Sequence, residues 1–169
     1  MPISSYLKSV REKVGHDLLT MTAVSISIFN AEGLLLLGRD AEMGFWTLPG
    51  GAVDPKEQPA DAAVRECFEE TGLLVRLDEL IGVFGGPEFL VRYPNGDLTY
   101  YTTVAFRASV VGGSHAPRDG EILDLKYFSQ DDLTALNISG ASRLISRHAF
   151  AAAAGHAYFA PSTWTPGEK

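Results

Sequence analysis

The sequence of 169 residues predicts an α/β fold, with a mixed β-sheet held between helices, on three observations. Stretches of alternating apolar and polar residues, the period of a half-buried strand, recur along the chain. Between them lie segments whose apolar residues return at the helical period of 3.6. Glycine, proline and asparagine punctuate both kinds, and Asn95-Gly96 is the plainest hairpin signal among them.

Taken in order, residues 4–14 predict a short amphipathic helix with Tyr6, Leu7, Val10 and Val14 on one face. Residues 21–29 alternate Ala23, Ser25 and Ser27 against Val24, Ile26 and Ile28, as a half-buried strand does. A hairpin-like turn at 30–33 leads to a buried partner strand at 34–37. Residues 60–71 form the next helix, with Ala60, Ala63, Val64, Cys67, Phe68 and Thr71 as its buried stripe. Pro59 suits its first turn and Gly72 the position just past its end. Gln58 stands where a stronger N-cap such as serine is common. Residues 73–75 leave the helix as a strand, and residues 81–93 and 98–111 are two long strands joined by the turn at 94–97. A strand at 122–128, a short helix at 130–135 and a longer helix at 141–154 complete the pattern. Residues 161–169, with two prolines and a glycine, read as a disordered tail.

Length indicates one domain, with a helical leader at 1–18, a core at 19–137, and a C-terminal helix and tail at 138–169. The formal charge is -7 and no run of Lys and Arg appears, which excludes the electrostatic footprint of a long nucleic-acid binder. No apolar run reaches membrane length and the first twenty residues hold no apolar leader core, so no membrane partner is expected. Cys67 is the only cysteine, so no intramolecular disulfide can form. A soluble, cytoplasmic protein is the expectation.

The chemistry concentrates in residues 51–73, GAVDPKEQPADAAVRECFEETGL. Here Gly51, Glu57, Arg65, Glu66, Glu69, Glu70 and Gly72 follow the spacing G-x5-E-x7-R-E-U-x-E-E-x-G-U, with U a bulky apolar residue. On a helix, Glu66, Glu69 and Glu70 fan out along one flank of the buried stripe. Two such carboxylates repel by roughly 3 kcal/mol at an effective dielectric of about 20. A hard divalent cation reverses that sign, since Mg²⁺ takes carboxylate oxygens and completes its shell with water and substrate phosphates. A glutamate-rich helix flank alone is ordinarily a solvated face, and Arg65 with Glu69 an ordinary i,i+4 pair. It is the complete pattern that overturns that reading.

That pattern resembles the signature of the Nudix hydrolases. The resemblance implies an α/β/α sandwich with a mixed sheet, and Mg²⁺, or Mn²⁺ in its place, held by Glu66, Glu69, Glu70 and the Gly50 carbonyl. It implies that Arg65 and Glu57 orient the site, with an acidic residue from a later loop, for which Glu121 is the candidate. Glu66 is the first choice of general base and Glu121 the second. Arg39 is placed against substrate phosphate by the same analogy. Phe45 and Trp46, and Phe89 and Tyr93 from the hairpin, can offer aromatic platforms to a nucleobase, although large rings more often serve cores. The expected substrate is a small nucleotide, a nucleoside diphosphate joined to a further group as in a nucleotide sugar or ADP-ribose. A house-cleaning nucleoside triphosphate pyrophosphatase and a non-catalytic nucleotide sensor are the alternatives. Dimers are common in the family, which leaves a homodimer open. His16, His115, His148 and His156 lack zinc-like spacing, and Cys67, on the buried stripe, reads as a small hydrophobe.

Overall fold

The computed structural model describes residues 5–117, 120–151 and 156–165. Three α-helices, α1 (Ser5–Val14), α2 (Pro59–Thr71) and α3 (Gly140–Ala151), accompany seven strands: β1 (Leu19–Ile28), β2 (Leu35–Asp40), β3 (Trp46–Thr47), β4 (Leu73–Phe84), β5 (Leu90–Arg92), β6 (Leu98–Gly113) and β7 (Ile122–Phe128). The expected helix ends at residues 4 and 152–154, and the tail at 166–169, lie outside the described residues. Among those described, no helix is long and apolar enough to cross a membrane.

The strands form two sheets. The larger is mixed as expected: β6 lies parallel to β1 and antiparallel to β4, and β5 adds antiparallel to β6. The smaller has the order β3-β2-β7 and is antiparallel throughout. One apolar cluster joins Ala62, Ala63 and Cys67 of α2 to Val24, Ile26 and Ile28 of β1. A second joins Ile145 and Ala149 of α3 to Ile81 and Phe84 of β4 and to Phe89. Leu36 belongs to the first cluster while Leu35 and Leu37 belong to the second, so β2 runs between the two cores. That position explains an unbroken buried run that strand alternation alone would not produce.

The structure revises several sequence expectations. The turn at 30–33 forms, with the Leu34 N–H donating to Asn30 Oδ1 at 2.8 Å, yet β1 and β2 share only the single bridge of Phe29 with Leu35. β2 leaves for β7 and β3 because its leucines are needed between the two cores. β1 is buried on both faces from Ala23 to Ile28, not half-buried. Its serines are small enough to be covered, and Ser25 lines a cavity shared with Ser142 and Ile145 of α3. The strand expected at 81–93 breaks at Gly86, whose φ is 111° and whose N–H donates to Tyr100 Oη at 2.8 Å. A 3-10 turn, Pro87–Phe89, then buries Phe89 before β5 begins. A 3-10 turn at Asp132–Thr134 replaces the short helix expected at 130–135. On α1, Tyr6 and Val14 are exposed, so only part of its apolar face is covered.

α2 is built as its sequence indicates. Pro59 opens it, Gln58 supplies no side-chain cap, and Gly72 closes it in the left-handed conformation, its N–H donating to the Phe68 carbonyl. The buried stripe is rotated from expectation. Ala60 is exposed, whereas Ala62, Ala63, Glu66, Cys67, Glu70 and Thr71 are buried, so two glutamates face inward. At Gly72, φ is 74° and a Cβ would stand 2.4 Å from the Ser114 carbonyl oxygen. Gly72→Ala is therefore expected to lower the unfolding free energy by more than about 1 kcal/mol, the cost of left-handed backbone alone. Urea denaturation reads this directly, and an unchanged midpoint contradicts it.

Candidate active site

The loop before α2 is fixed along the outer edge of β1. Ile26 donates its N–H to the Pro49 carbonyl at 2.8 Å, Val24 to the Gly51 carbonyl at 2.9 Å, and Val53 to the Thr22 carbonyl at 3.0 Å. The Gly50 peptide between these contacts points away from β1, and its N–H donates to Glu70 Oε2 at 2.9 Å. Two close approaches demand glycine here. A Cβ at Gly50 would lie 2.2 Å from the Val24 carbonyl oxygen, and one at Gly51 would lie 2.6 Å from the carboxylate carbon of Glu66. The backbone thus holds one buried glutamate by a hydrogen bond and makes room for the other.

Arg65 ties the remaining acids together. Its Nε donates to Glu57 Oε1 and its Nη2 to Glu57 Oε2, both at 2.8 Å, in a bidentate pair. Nη1 donates to Glu66 Oε1 at 2.8 Å and to Glu69 Oε2 at 3.2 Å, and Nη2 also reaches the Ala52 carbonyl at 3.1 Å. The Asp54 N–H donates to Glu57 Oε2 at 3.1 Å. The hydrogen bonds from Arg65 hold the Glu57 carboxyl below its ordinary range. Glu66 moves the other way: burial raises it, and Arg65 offsets only part of that rise. Burial separates the three helix glutamates, since Glu66 and Glu70 are buried and Glu69 is half-buried.

Glu66 and Glu70 line a cavity of about 530 Å³. Five further carboxylates line it, those of Asp40, Glu42, Asp54, Asp97 and Glu121, against the guanidinium groups of Arg11 and Arg65. A second cavity of about 220 Å³ adjoins it, lined by Phe45, Phe89, Val91 and Ile145 among others. Asp40, Thr47, Gly50, Gly51, Ala52, Tyr93 and Tyr101 line both. The result is a cleft with an acidic lobe and an apolar, aromatic lobe that meet at the Gly50-Gly51 stretch.

The buried carboxylates of Glu66 and Glu70 suit a hard divalent cation, in a lobe whose surplus negative charge repels an anionic substrate unless a cation stands between. Arg65 supplies the neutralisation in the present arrangement. Among the described residues, no three His, Cys, Asp or Glu side chains converge closely enough to enclose an ion.

Glu57, Arg65, Glu66, Glu70 and Gly50 are brought together as the sequence indicates, and Glu121 lines the same cavity. Glu69 holds Arg65 and is not among the residues lining either lobe. Phe45 lines the aromatic lobe and Tyr93 lines both lobes, its hydroxyl 2.9 Å from that of Tyr101. Phe89 touches the aromatic lobe, but as a core side chain 1% exposed and stacked on Phe84. Two expectations are corrected. Trp46 packs edge-on against Phe128 at 4.8 Å and lines neither lobe, and Arg39 is exposed and also lines neither. Both sit in the β2-β3 pairing, which turns them away from the cleft.

Sequence reasoning missed Arg11, Asp40, Asp97 and Tyr101. Strand alternation through the hairpin carries the signal for two of them. Asp97, Thr99 and Tyr101 share the face of Tyr93, and all four line the acidic lobe. The histidines stay out of the lobes, with His115 stacked on Tyr127 and His148 tilted against Tyr158. Cys67 is fully buried, and burial raises its thiol to about 11, as suits a packing residue.

Comparison with known proteins bears on the family and the fold. The model of the NUDIX domain matches residues 19–148. A Bacillus subtilis protein named "Putative 8-oxo-dGTP diphosphatase" is 31% identical over 121 residues, 72% of this chain and 74% of that one. An ADP-ribose pyrophosphatase of Methanocaldococcus jannaschii is 33% identical over 93 residues, 55% of this chain and 51% of that one. The chain therefore spans about half the length of the second relative. The crystal structure of an ADP-ribose pyrophosphatase from Streptococcus suis has a TM-score of 0.63 at 24% identity, covering 82% of this chain and 96% of that chain, a likeness of fold. The chain belongs to the Nudix family, hydrolases of phosphoric anhydride bonds that generally use divalent cations.

Because Glu57 sits below its ordinary value of 4.5, the stability it contributes is present above that pH and is lost as pH falls through its folded value. Glu57→Gln is expected to cost about 1–2 kcal/mol near neutrality, the scale of a charged hydrogen bond at a partly covered site. Denaturant unfolding from pH 7 to pH 3 should show the gap to the parent protein closing below about pH 4.5. A gap that is constant or grows with acid contradicts the assignment.

Proposed function

We propose that this chain is a Mg²⁺-dependent pyrophosphohydrolase that splits the diphosphate linkage of a nucleoside diphosphate derivative, of the nucleotide-sugar or ADP-ribose kind, by attack of water on phosphorus. One observation carries the reading: the buried pair Glu66 and Glu70 stands directly behind Gly50-Gly51, the stretch common to both lobes. A diphosphate lying across that stretch has its nucleoside in the aromatic lobe and its second group in the acidic lobe. Phe45 and Tyr93 offer rings to the base. The product pair is a nucleoside monophosphate and the phosphorylated second group.

Glu66, Glu69 and Glu70, with the Gly50 carbonyl, would hold Mg²⁺, or Mn²⁺ in its place. Such an ion supplies charge neutralisation at the diphosphate oxygens and a more acidic attacking water. Arg65 and Glu57 fix the direction of Glu66 through their hydrogen bonds. Glu66 is the preferred general base, a buried carboxylate beside Gly51 held in place by Arg65. Glu121 is the second candidate, being on the wall of the same cavity. Cys67, buried as a thiol, suits a reducing cytoplasmic setting.

A nucleoside triphosphate is the rival substrate, favoured by the name of the Bacillus subtilis relative. The two lobes that meet at Gly50-Gly51 favour the two-ended substrate, with room for a group on either side of the diphosphate. A purely sensing role is opposed by the retention of Glu66, Glu69 and Glu70.

Glu70→Gln keeps an acceptor for the Gly50 N–H and removes a charge. It is expected to lower kcat by orders of magnitude while leaving the thermal midpoint nearly unchanged. Full activity in that variant, or in excess chelator, contradicts the reading. A substrate panel with product identification separates the two substrate kinds: pyrophosphate appears from a triphosphate and not from a nucleotide sugar.

A further inference from the structure

α1 lies outside residues 19–148 matched by the family model and outside both sheets, yet it forms part of the cleft. Leu7 and Arg11, four residues apart and so on one face of the helix, line the acidic lobe and not the aromatic one. Arg11 is also the most heavily bonded side chain of the helix. Its Nη1 donates to the carbonyls of Gly15 at 3.1 Å and Asp17 at 2.8 Å. Its Nη2 donates to the Leu98 carbonyl at 2.9 Å and to Thr99 Oγ1 at 2.8 Å, while Nε stands 3.5 Å from Asp97 Oδ2. The Arg11 side chain, only 12% exposed, thereby clamps the end of α1 to the turn and first residues of the β5-β6 hairpin. His16 adds a contact to the same acid, its Nδ1 lying 2.6 Å from Asp97 Oδ1.

This clamp costs a helix of ten residues little, and without it such a helix has scant cause to stay folded. Its apolar side is only partly covered, with Tyr6 53% exposed, so burial alone does not hold it. What the clamp secures is the position of Leu7 on the wall of the lobe. The same cavity is lined by Asp40, Glu42 and Glu121, while the Asp97 carboxylate is taken up by Arg11, His16 and Asn95. Carboxylates accept hydrogen bonds from hydroxyls and repel an additional phosphate, and an aliphatic side chain packs on the C–H face of a sugar ring.

We propose that α1 is the wall of the cleft that selects the group attached to the nucleoside diphosphate, an uncharged, hydroxyl-rich group such as a sugar, with Leu7 touching that group and Arg11 the positioning residue. This rests on the two-ended substrate of the preceding section. The test is steady-state kinetics with Mg²⁺ on ADP-ribose, UDP-glucose and dGTP, for the parent protein, Arg11→Ala, Arg11→Lys and Leu7→Ala.

On whichever of the two sugar-bearing compounds the parent turns over, Arg11→Ala should raise KM about tenfold, equivalent to about 1.4 kcal/mol. Its kcat should stay within about threefold, and Arg11→Lys should restore part of the KM. Leu7→Ala, which leaves the clamp intact, should raise KM with no change in thermal midpoint. Any turnover of dGTP should keep its KM in every variant. An unchanged KM on the sugar-bearing compound in both alanine variants, or an equal rise for dGTP, overturns the assignment of α1. A parent protein that turns over neither sugar-bearing compound overturns the two-ended reading itself, and the role of α1 with it.

Discussion

Everything in this molecule bears on how the carboxylates of α2 are tolerated. Three glutamates within five residues of one helix repel one another, and burying Glu66 and Glu70 adds a desolvation cost. Arg65 offsets part of it by binding Glu57, Glu66 and Glu69 at once. The Gly50 N–H offsets another part at Glu70. Packing alone never requires this arrangement, since an apolar residue at 66 or 70 would bury more cheaply. Under the proposed function it serves as an anionic seat, held by the fold, that a cation and an anionic substrate would complete.

The architecture supplies that rigidity from two directions. The glycine loop is hydrogen-bonded along β1, itself buried on both faces. α2 stands on the same strand through Ala62, Ala63 and Cys67. Loop and helix therefore refer to one strand, and the distance between Gly50 and Glu70 is fixed by the core. The opposite wall of the cleft is less constrained. It consists of a hairpin, a short loop at Gly120 and Glu121, and a helix fastened by one arginine, which is where variation in substrate is cheapest to build.

How much of this was legible in the sequence follows from the range of the forces involved. The α2 boundaries were readable because Pro59 and Gly72 act locally on backbone geometry. The hairpin turn around Asn95-Gly96 was readable for the same reason. The association of Glu57, Arg65, Glu66 and Glu70 was carried by the resemblance of their pattern to the Nudix signature. Pairings set over long distance were not readable. The turn at Asn30 suggested that β2 would lie beside β1, but the need for Leu35, Leu36 and Leu37 between two cores sent it to β7. Trp46 and Phe45 are neighbours with identical sequence credentials, and only the β2-β3 pairing turns one into the core and the other into the cleft. Arg11 is 88 residues from Thr99, and no periodicity reports such a contact.

The central claim is that the α2 carboxylates take a divalent ion beside the diphosphate. It is tested most directly by anomalous diffraction from crystals grown with Mn²⁺ and a non-hydrolysable nucleoside diphosphate derivative. The account predicts a manganese peak at coordination distance from the carboxylates of Glu66 and Glu70, with the diphosphate oxygens on its other side. Manganese elsewhere, or no peak while those carboxylates remain on Arg65 and Gly50 beside a bound nucleotide, would contradict it.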